Sequence, residues 1–326
     1  LTEDTLILDN APRLADVELL QRILGNHGVD IMIAGKRPGE DANNGRTLHI
    51  SARNIVDTTA PYELVSKMRA SFWVIAPILA RMGEAKVSLP GGCAIGARPI
   101  NLHLMGFEKM GASIKLEAGY VFLRAKKLRG AQINFDIPTV TGTENIMMAA
   151  ALAEGRTVIE NAAQEPEVVD LADALKSMGA RITGAGESII EIEGVSRLRP
   201  LRHEVIPDRI ETGTFMAAAG ITGGEIRIKR CNLQHLDAVI NKLKDTGMKI
   251  RPLKTGVKVT GPKRPASVNA KTMPYPGFPT DMQAQLMAMM CVADGTSVIS
   301  ESIFENRFMH VAELRRMGAD IIIEGG

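Results

Sequence analysis

Aromatic residues are scarce in this sequence, with one Trp, three Tyr and eight Phe among 326 residues. A chain so poor in rings offers no stacking platform for single-stranded nucleic acid. An excess of one charge is also missing. The 39 Lys and Arg face 37 Asp and Glu, for a net charge of +2, so the broad basic footprint of a nucleic-acid or membrane-surface protein is excluded. A local basic cluster can still hold a small anion. The three cysteines, Cys93, Cys231 and Cys291, are odd in number and widely spaced. They form neither a disulfide framework nor a zinc pattern, and fit a reducing cytosol. The six histidines show no metal-ligand spacing. No uncharged apolar run reaches the roughly 18 residues of a membrane span. Leu1 to Asn10 lacks the basic start and apolar stretch of a signal peptide. Leu6-Ile-Leu reads as a strand with no Met before it, and Ile321 to Gly326 stops in a strand-like run, so the sequence is expected to be a fragment.

What is present is an ordinary globular balance, 45% hydrophobic and 23% charged, in a length that suggests two domains. The main organising signal is an internal repeat. An amphipathic helix closed by Gly and followed by a strand ends at Gly28, Gly111, Gly179, Gly247 and Gly318, with gaps of 83, 68, 68 and 71. A second piece, an apolar helix, a Gly turn and a β-branched strand, ends at Gly83, Gly155, Gly224 and Gly295, with gaps of 72, 69 and 71. Glycine after the last periodic residue is a left-handed helix cap. Two markers with one period predict repeated α/β modules. The long first gap holds a polar insertion, residues 35–46. Fourteen residues before the second set of glycines lie Arg69, Thr141, Ile210 and Asp281, predicted at helix starts, where unpaired N–H groups favour anions. Thr and Asp there also read simply as caps.

The most unusual stretch runs from Ser88 to His103, with three glycines, two prolines, Cys93 and Arg98 between a strand and a helix. It is neither a P-loop nor a dinucleotide fingerprint. An unperturbed thiol titrates near about 8.5, and a neighbouring Arg lowers that value, so Cys93 is a candidate acid or a candidate nucleophile. A flexible turn with an incidental Cys is the plainer alternative. Cys291, in Leu286-Met-Ala-Met-Met-Cys, is expected in the core, and the methionines are read as core fillers. Further charged candidates at helix starts or turns are Lys67, Arg69, Asp208, Arg209, Glu211, Asp281, Glu305 and Arg307. Arg suits bidentate phosphate or carboxylate contact.

These residues carry a family resemblance. Leu89-Pro-Gly-Gly-Cys-Ala-Ile-Gly-Ala-Arg-Pro with Asn101-Leu-His resembles the active loop of the UDP-N-acetylglucosamine 1-carboxyvinyltransferases, which are enolpyruvyl transferases of the EPSP synthase-like family. Lys67-Met-Arg-Ala-Ser, Thr143-Glu-Asn-Ile-Met-Met-Ala-Ala, Ile159-Glu-Asn-Ala-Ala, Pro207-Asp-Arg-Ile-Glu-Thr-Gly-Thr, Phe278-Pro-Thr-Asp-Met-Gln-Ala-Gln and Phe304-Glu-Asn-Arg-Phe-Met-His extend the match over the chain. The resemblance implies an α/β fold, a two-lobed inverted α/β barrel of repeated βαβαββ units. Residues 1–206 would form the lobe carrying the Cys loop, its first unit incomplete. Residues 207–326 would form the second lobe, lacking its last repeat and an N-terminal contribution. The site would lie in the cleft between lobes.

The resemblance also implies roles. Cys93 would protonate the methylene carbon of phosphoenolpyruvate, form a covalent adduct with it, and be alkylated by fosfomycin. Asp281 would be the general base at the sugar 3′-hydroxyl. Arg69, Arg98, Pro99, Ile100, Asn101, Leu102, Thr139, Val140 and Ile303 would contact the UDP-sugar, with Arg98 also reaching the phosphate of phosphoenolpyruvate. No cofactor or metal is implied, the partners are the two small substrates, with no nucleic acid and no membrane, and the location is the cytoplasm. The family's N-terminal Lys-Asn pair, which binds phosphoenolpyruvate, and its C-terminal arginines are absent from this sequence, which is expected to start after the one and stop before the others. Asn101 stands where the family commonly has Asp, keeping an acceptor and gaining a donor, and Ile137 where some members carry Lys. The competing readings are a 3-phosphoshikimate enolpyruvyl transferase, which lacks the Pro-Gly-Gly-Cys loop, and a non-catalytic UDP-sugar-binding protein. An RNA-end cyclase-like enzyme would need a nucleotide-accepting His and a basic surface, and neither is evident.

Overall fold

A computed structural model describes residues 2–34, 45–91 and 100–325. The chain forms two compact units that change over at Ile206 and Pro207. In the first unit, the glycine-marked repeat becomes three four-stranded sheets of one topology. A short strand lies parallel to a longer one, which pairs antiparallel with a third, which pairs antiparallel with a fourth. One sheet runs Thr59–Ala60, Glu84–Ser88, Tyr120–Arg124, Ser113–Glu117. Another runs Gln132–Asn134, Arg156–Glu160, Ile189–Glu193, Arg181–Thr183. Helices intervene between the strands of each module. In the second module they are Val140–Ala150 and Pro166–Ser177.

The third sheet is assembled from distant parts of the chain. Its short parallel strand, Arg202–Glu204, pairs with Leu6–Ala11, with Ile7 opposite Arg202. Arg46–Ser51 and Asp30–Ile33 follow on the other side. Asp9 fixes the junction by accepting from Arg202 Nε at 2.6 Å, while Asn10 donates to the Val205 carbonyl at 2.9 Å. Three residues carry no readable periodicity, so the sequence repeat does not reveal this pairing.

The layer order follows from hydrophobic pattern. Strands alternate, with Ala85, Val87, Val121 and Leu123 inward and Glu84 and Arg124 outward. Helix Val140–Ala150 buries nearly every side chain. A helix apolar on all sides belongs in an interior, and its Gly, Thr and Ala residues permit close neighbours. At Gly106, on helix Asn101–Lys109, an added Cβ would run into Ile146 Cδ1. Phe107, Phe135, Ile146 and Ile159 are the centre of this core. Each such side chain contributes about 1.5–3 kcal/mol by leaving water.

The second unit holds the three-stranded sheet Glu225–Lys229, Gly256–Thr260, Lys249–Leu253 and the parallel pair Ala270–Lys271 with Ile299–Ser300. Helices Arg209–Thr222 and Gln283–Met290 pack together through small residues and methionines. A Cβ on Gly220 would meet the sulfurs of Met289 and Met248. The core-filling reading of the methionines therefore holds for Met216, Met248, Met282, Met287 and Met289. Cys291 does not join them. The helix ends at Met290, and Cys291 is exposed just beyond it, bonded to the Met287 carbonyl.

The predicted left-handed caps occur at Gly28, Gly111, Gly179, Gly247 and Gly318, and at Gly83, whereas Gly155 and Gly295 are left-handed but lie in the turns four residues beyond the right-handed caps Ala151 and Cys291. In the remaining repeat the left-handed residue is Gly223 (φ 62°), one before the expected Gly224. Either of two adjacent glycines can take that conformation, and the helix length decides. Among the described residues no helix is long and apolar enough to cross a membrane.

Candidate active site

The four positions picked out by the repeat register all fall in the first turns of helical segments. Arg69 opens the 3-10 segment Arg69–Val74, Thr141 and Ile210 are second in their helices, and Asp281 lies in the 3-10 turn Thr280–Met282. Some neighbours are plain caps. Thr139 accepts from Gly142 N at 3.2 Å, and Asp208 Oδ1 accepts from Ile210 N and Glu211 N at 2.7 and 3.0 Å.

In the first unit, Arg69, Ala70, Phe72, Trp73, Ile100, His103, Thr141 and Asn145 line one recess. It gathers Arg69 and Ile100 from the expected binding set. Thr139 and Val140 start the helix that supplies Thr141 and Asn145, and Asn101 and Leu102 start the helix that supplies His103. Asn101 is exposed and Leu102 half-buried. Cys93, Arg98 and Pro99 lie outside the described residues.

His103 is the residue that sequence reasoning missed. Its ring is 3% exposed and packs edge-on against Phe72 at 5.4 Å. Asn145 Nδ2 donates to Nδ1 at 2.9 Å, which leaves the ring proton on Nε2, 3.3 Å from the Thr141 hydroxyl. Burial, reinforced by the Arg69 charge, lowers its pKa to about 4. The recess therefore keeps a neutral imidazole beside a permanent cation. The signal was the His of Asn101-Leu-His, two residues past an expected contact, with its partners some forty residues away. One turn deeper, Glu144 is buried, and burial followed by the charge of Glu167 raises its pKa to about 8.

In the second unit, Asp281 is half-exposed. Its Oδ1 accepts from Arg307 Nη2 at 2.6 Å, and Arg307 stacks over Phe304 at 5.3 Å. Among the described residues Oδ2 makes no hydrogen bond and is available to a hydroxyl. Ile303 sits nearby in the chain, its N–H bonded to Glu301 Oε1 at 2.8 Å. The expected Asp281, Ile303 and Arg307 are thus organised by one short segment, residues 301–307.

The EPSP synthase (3-phosphoshikimate 1-carboxyvinyltransferase) family model matches residues 1–325. Curated UDP-N-acetylglucosamine 1-carboxyvinyltransferases from Nitrobacter winogradskyi and from Rhodopseudomonas palustris strain BisB5 are each 60% identical to this chain, matching all of it and 76% of their own length. Among solved structures, the enolpyruvyl transferase NikO from Streptomyces tendae superposes with a TM-score of 0.85 at 22% identity, over 99% of this chain and 75% of that one. EPSP synthase from Acinetobacter baumannii gives 0.67 at 19%, over 100% and 76%. These likenesses show the fold, the repeated sheet-and-helix architecture of the enolpyruvyl transferases. Together with the match along the sequence, they establish that this chain belongs to the EPSP synthase family of enolpyruvyl transferases.

Proposed function

We propose that this protein transfers the enolpyruvyl group of phosphoenolpyruvate to the 3′-hydroxyl of UDP-N-acetylglucosamine and releases phosphate. The observation that carries this reading is the 60% identity over the whole chain to enzymes bearing that name. Residues 1–206 are assigned to the lobe with the Cys93 loop and residues 207–326 to the second lobe. The reaction would be the first committed step of peptidoglycan synthesis in the cytoplasm, serving cell-wall growth, cell shape and division.

In this mechanism Asp281 takes the proton of the 3′-hydroxyl as its oxygen bonds to C2 of phosphoenolpyruvate. Cys93 gives a proton to C3, and a tetrahedral ketal results. C3 then loses a proton, the C2–O bond to phosphate breaks, and the enol ether remains. A positioned acid or base is worth about 10²–10⁴-fold. The free Oδ2 of Asp281 supports the base role, because Arg307 holds the other oxygen. Arg69, Ile100, Asn101, Leu102, Thr139, Val140 and Ile303 are assigned to the UDP-sugar, and Arg98 and Pro99 to the same ligand from the loop. Arg98 also serves the phosphate, where cations stabilise developing charge. Fosfomycin is expected to alkylate Cys93.

The test is phosphate release from phosphoenolpyruvate by the full-length gene product, with and without UDP-N-acetylglucosamine. Release that requires the sugar nucleotide supports the assignment. A folded protein that releases none under either condition overturns it in favour of a binding protein. The alternative acceptor is 3-phosphoshikimate, the one in the name of the matched family, and substituting it in the same assay decides between the two.

A further inference from the structure

We infer that Glu301 is a positioning residue for Asp281, an inference that rests on reading Asp281 as the general base. Glu301 is 8% exposed and has no Lys or Arg within ion-pair distance among the described residues. Burying a carboxyl without a cation is unfavourable unless donors surround it. Four do. Oε1 accepts from Thr272 Oγ1 at 2.8 Å, Ile303 N at 2.8 Å and Phe304 N at 3.2 Å, and Oε2 accepts from Thr280 Oγ1 at 2.8 Å. The Thr272 hydroxyl in turn accepts from Ser302 N at 2.9 Å.

Both oxygens lead to Asp281. Through Oε2, Glu301 holds Thr280, the residue just before Asp281. Through Oε1 it holds the turn at Ile303 and Phe304, and Phe304 is the ring under the Arg307 guanidinium that grips Asp281 Oδ1. One buried side chain thereby ties the base, the cation on the base and the Ile303 backbone into a single body. The sister repeat gives the contrast. Counted from the closing glycines Gly155 and Gly295, the equivalent of Glu301 is Asn161, whose side chain, among the described residues, makes one hydrogen bond, to the Phe135 carbonyl at 2.8 Å. An amide suffices to tie the repeat together there. The carboxylate and its extra donors occur in the repeat that carries Asp281.

The experiment compares kcat and KM for phosphate release in the full-length enzyme with Asp281→Asn, Thr280→Val, Thr280→Ser, Glu301→Gln and the Thr280→Val/Glu301→Gln double variant, each checked for folding. Misplacing a reacting group by about 1 Å costs up to about 10²-fold. Thr280→Val and Glu301→Gln are expected to lower kcat about ten- to a hundredfold. Thr280→Val should leave the sugar-nucleotide KM unchanged, and Thr280→Ser, which keeps the hydroxyl, should restore kcat. The double variant should be no slower than the slower single one, because both act along one route. Wild-type kcat in folded Thr280→Val, or fully additive losses in the double variant, would overturn the positioning role even if Glu301→Gln fails to fold. Wild-type kcat in Asp281→Asn would instead sink the base assignment beneath it.

Discussion

The recess around His103 and the corner around Asp281 solve opposite electrostatic problems. In the first unit a buried imidazole is kept neutral at 3% exposure, with both nitrogens bonded, beside the cation Arg69. In the second, a half-exposed carboxylate bonded to Arg307 stands on a buried carboxyl satisfied by four donors. The first arrangement sets Arg69 beside an uncharged ring, which suits the anion-holding role proposed for it. The second presents an acceptor oxygen in a fixed direction, which suits taking a proton. Charge is buried only where hydrogen bonds answer it, and the two units differ in whether the buried group is neutral or fully surrounded by donors.

Substitutions test that contrast, beginning with the most severe. Asp281→Asn keeps the shape and an acceptor but loses basicity. It should lower kcat by about 10²-fold or more while calorimetric binding of UDP-N-acetylglucosamine persists. Unchanged kcat would remove the proton-taking half of the comparison. Gly106→Ala drives a methyl into Ile146, on the helix that carries Thr141 and Asn145, and overpacking of this kind costs about 1–3 kcal/mol. Denaturant unfolding should show that loss, and an unaffected midpoint would mean the helices separate easily. Arg69→Lys removes the bidentate fork and is expected to raise the sugar-nucleotide KM about tenfold, or about 1.4 kcal/mol, with kcat little changed. A fall in kcat alone would place Arg69 with the chemistry.

The mildest test concerns pH. Glu144 has a folded pKa raised from 4.5 to about 8. Its stabilisation is fully present below 4.5 and is lost as pH rises through about 8. His103, lowered from 6.5 to about 4, acts in the reverse sense, and its contribution is full above 6.5 and is lost as pH falls towards about 4. Glu144→Gln should therefore remove the alkaline decline in melting temperature and leave the acid decline intact. Melting curves from pH 4 to 9 that coincide for the two proteins would show that Glu144 is not the group responsible.

Much of this fold was legible because it repeats. Glycine caps recur where a helix must stop, and each left-handed cap is a local demand that a single sequence reveals. The register also brought Arg69, Thr141, Ile210 and Asp281 to equivalent helix starts. What stayed hidden depends on distant partners. Glu301 stands in Ser300-Glu-Ser, which reads as surface, and its donors at 272 and 280 come from another segment. His103 looked like an ordinary helix residue until Phe72, Thr141 and Asn145 closed around it. Cys291 followed an apolar run, yet the helix ended one residue too soon to bury it.

The strand Arg202–Glu204 also sets an order of events during synthesis. Its partner Leu6–Ala11 emerges from the ribosome early, while Arg202 follows Asp9 by 193 residues. At about 5–20 residues per second, that interval is roughly 10–40 s. For all of that time one edge of Leu6–Ala11 lacks its native neighbour, and an unpaired edge is a template for pairing with other chains. The second module, which closes within residues 132–193, can complete its sheet while the sheet of Leu6–Ala11 still waits. Of the three sheets in this unit, the one containing Leu6–Ala11 is the last to close, and the waiting edge of that strand is what a chaperone would need to shield.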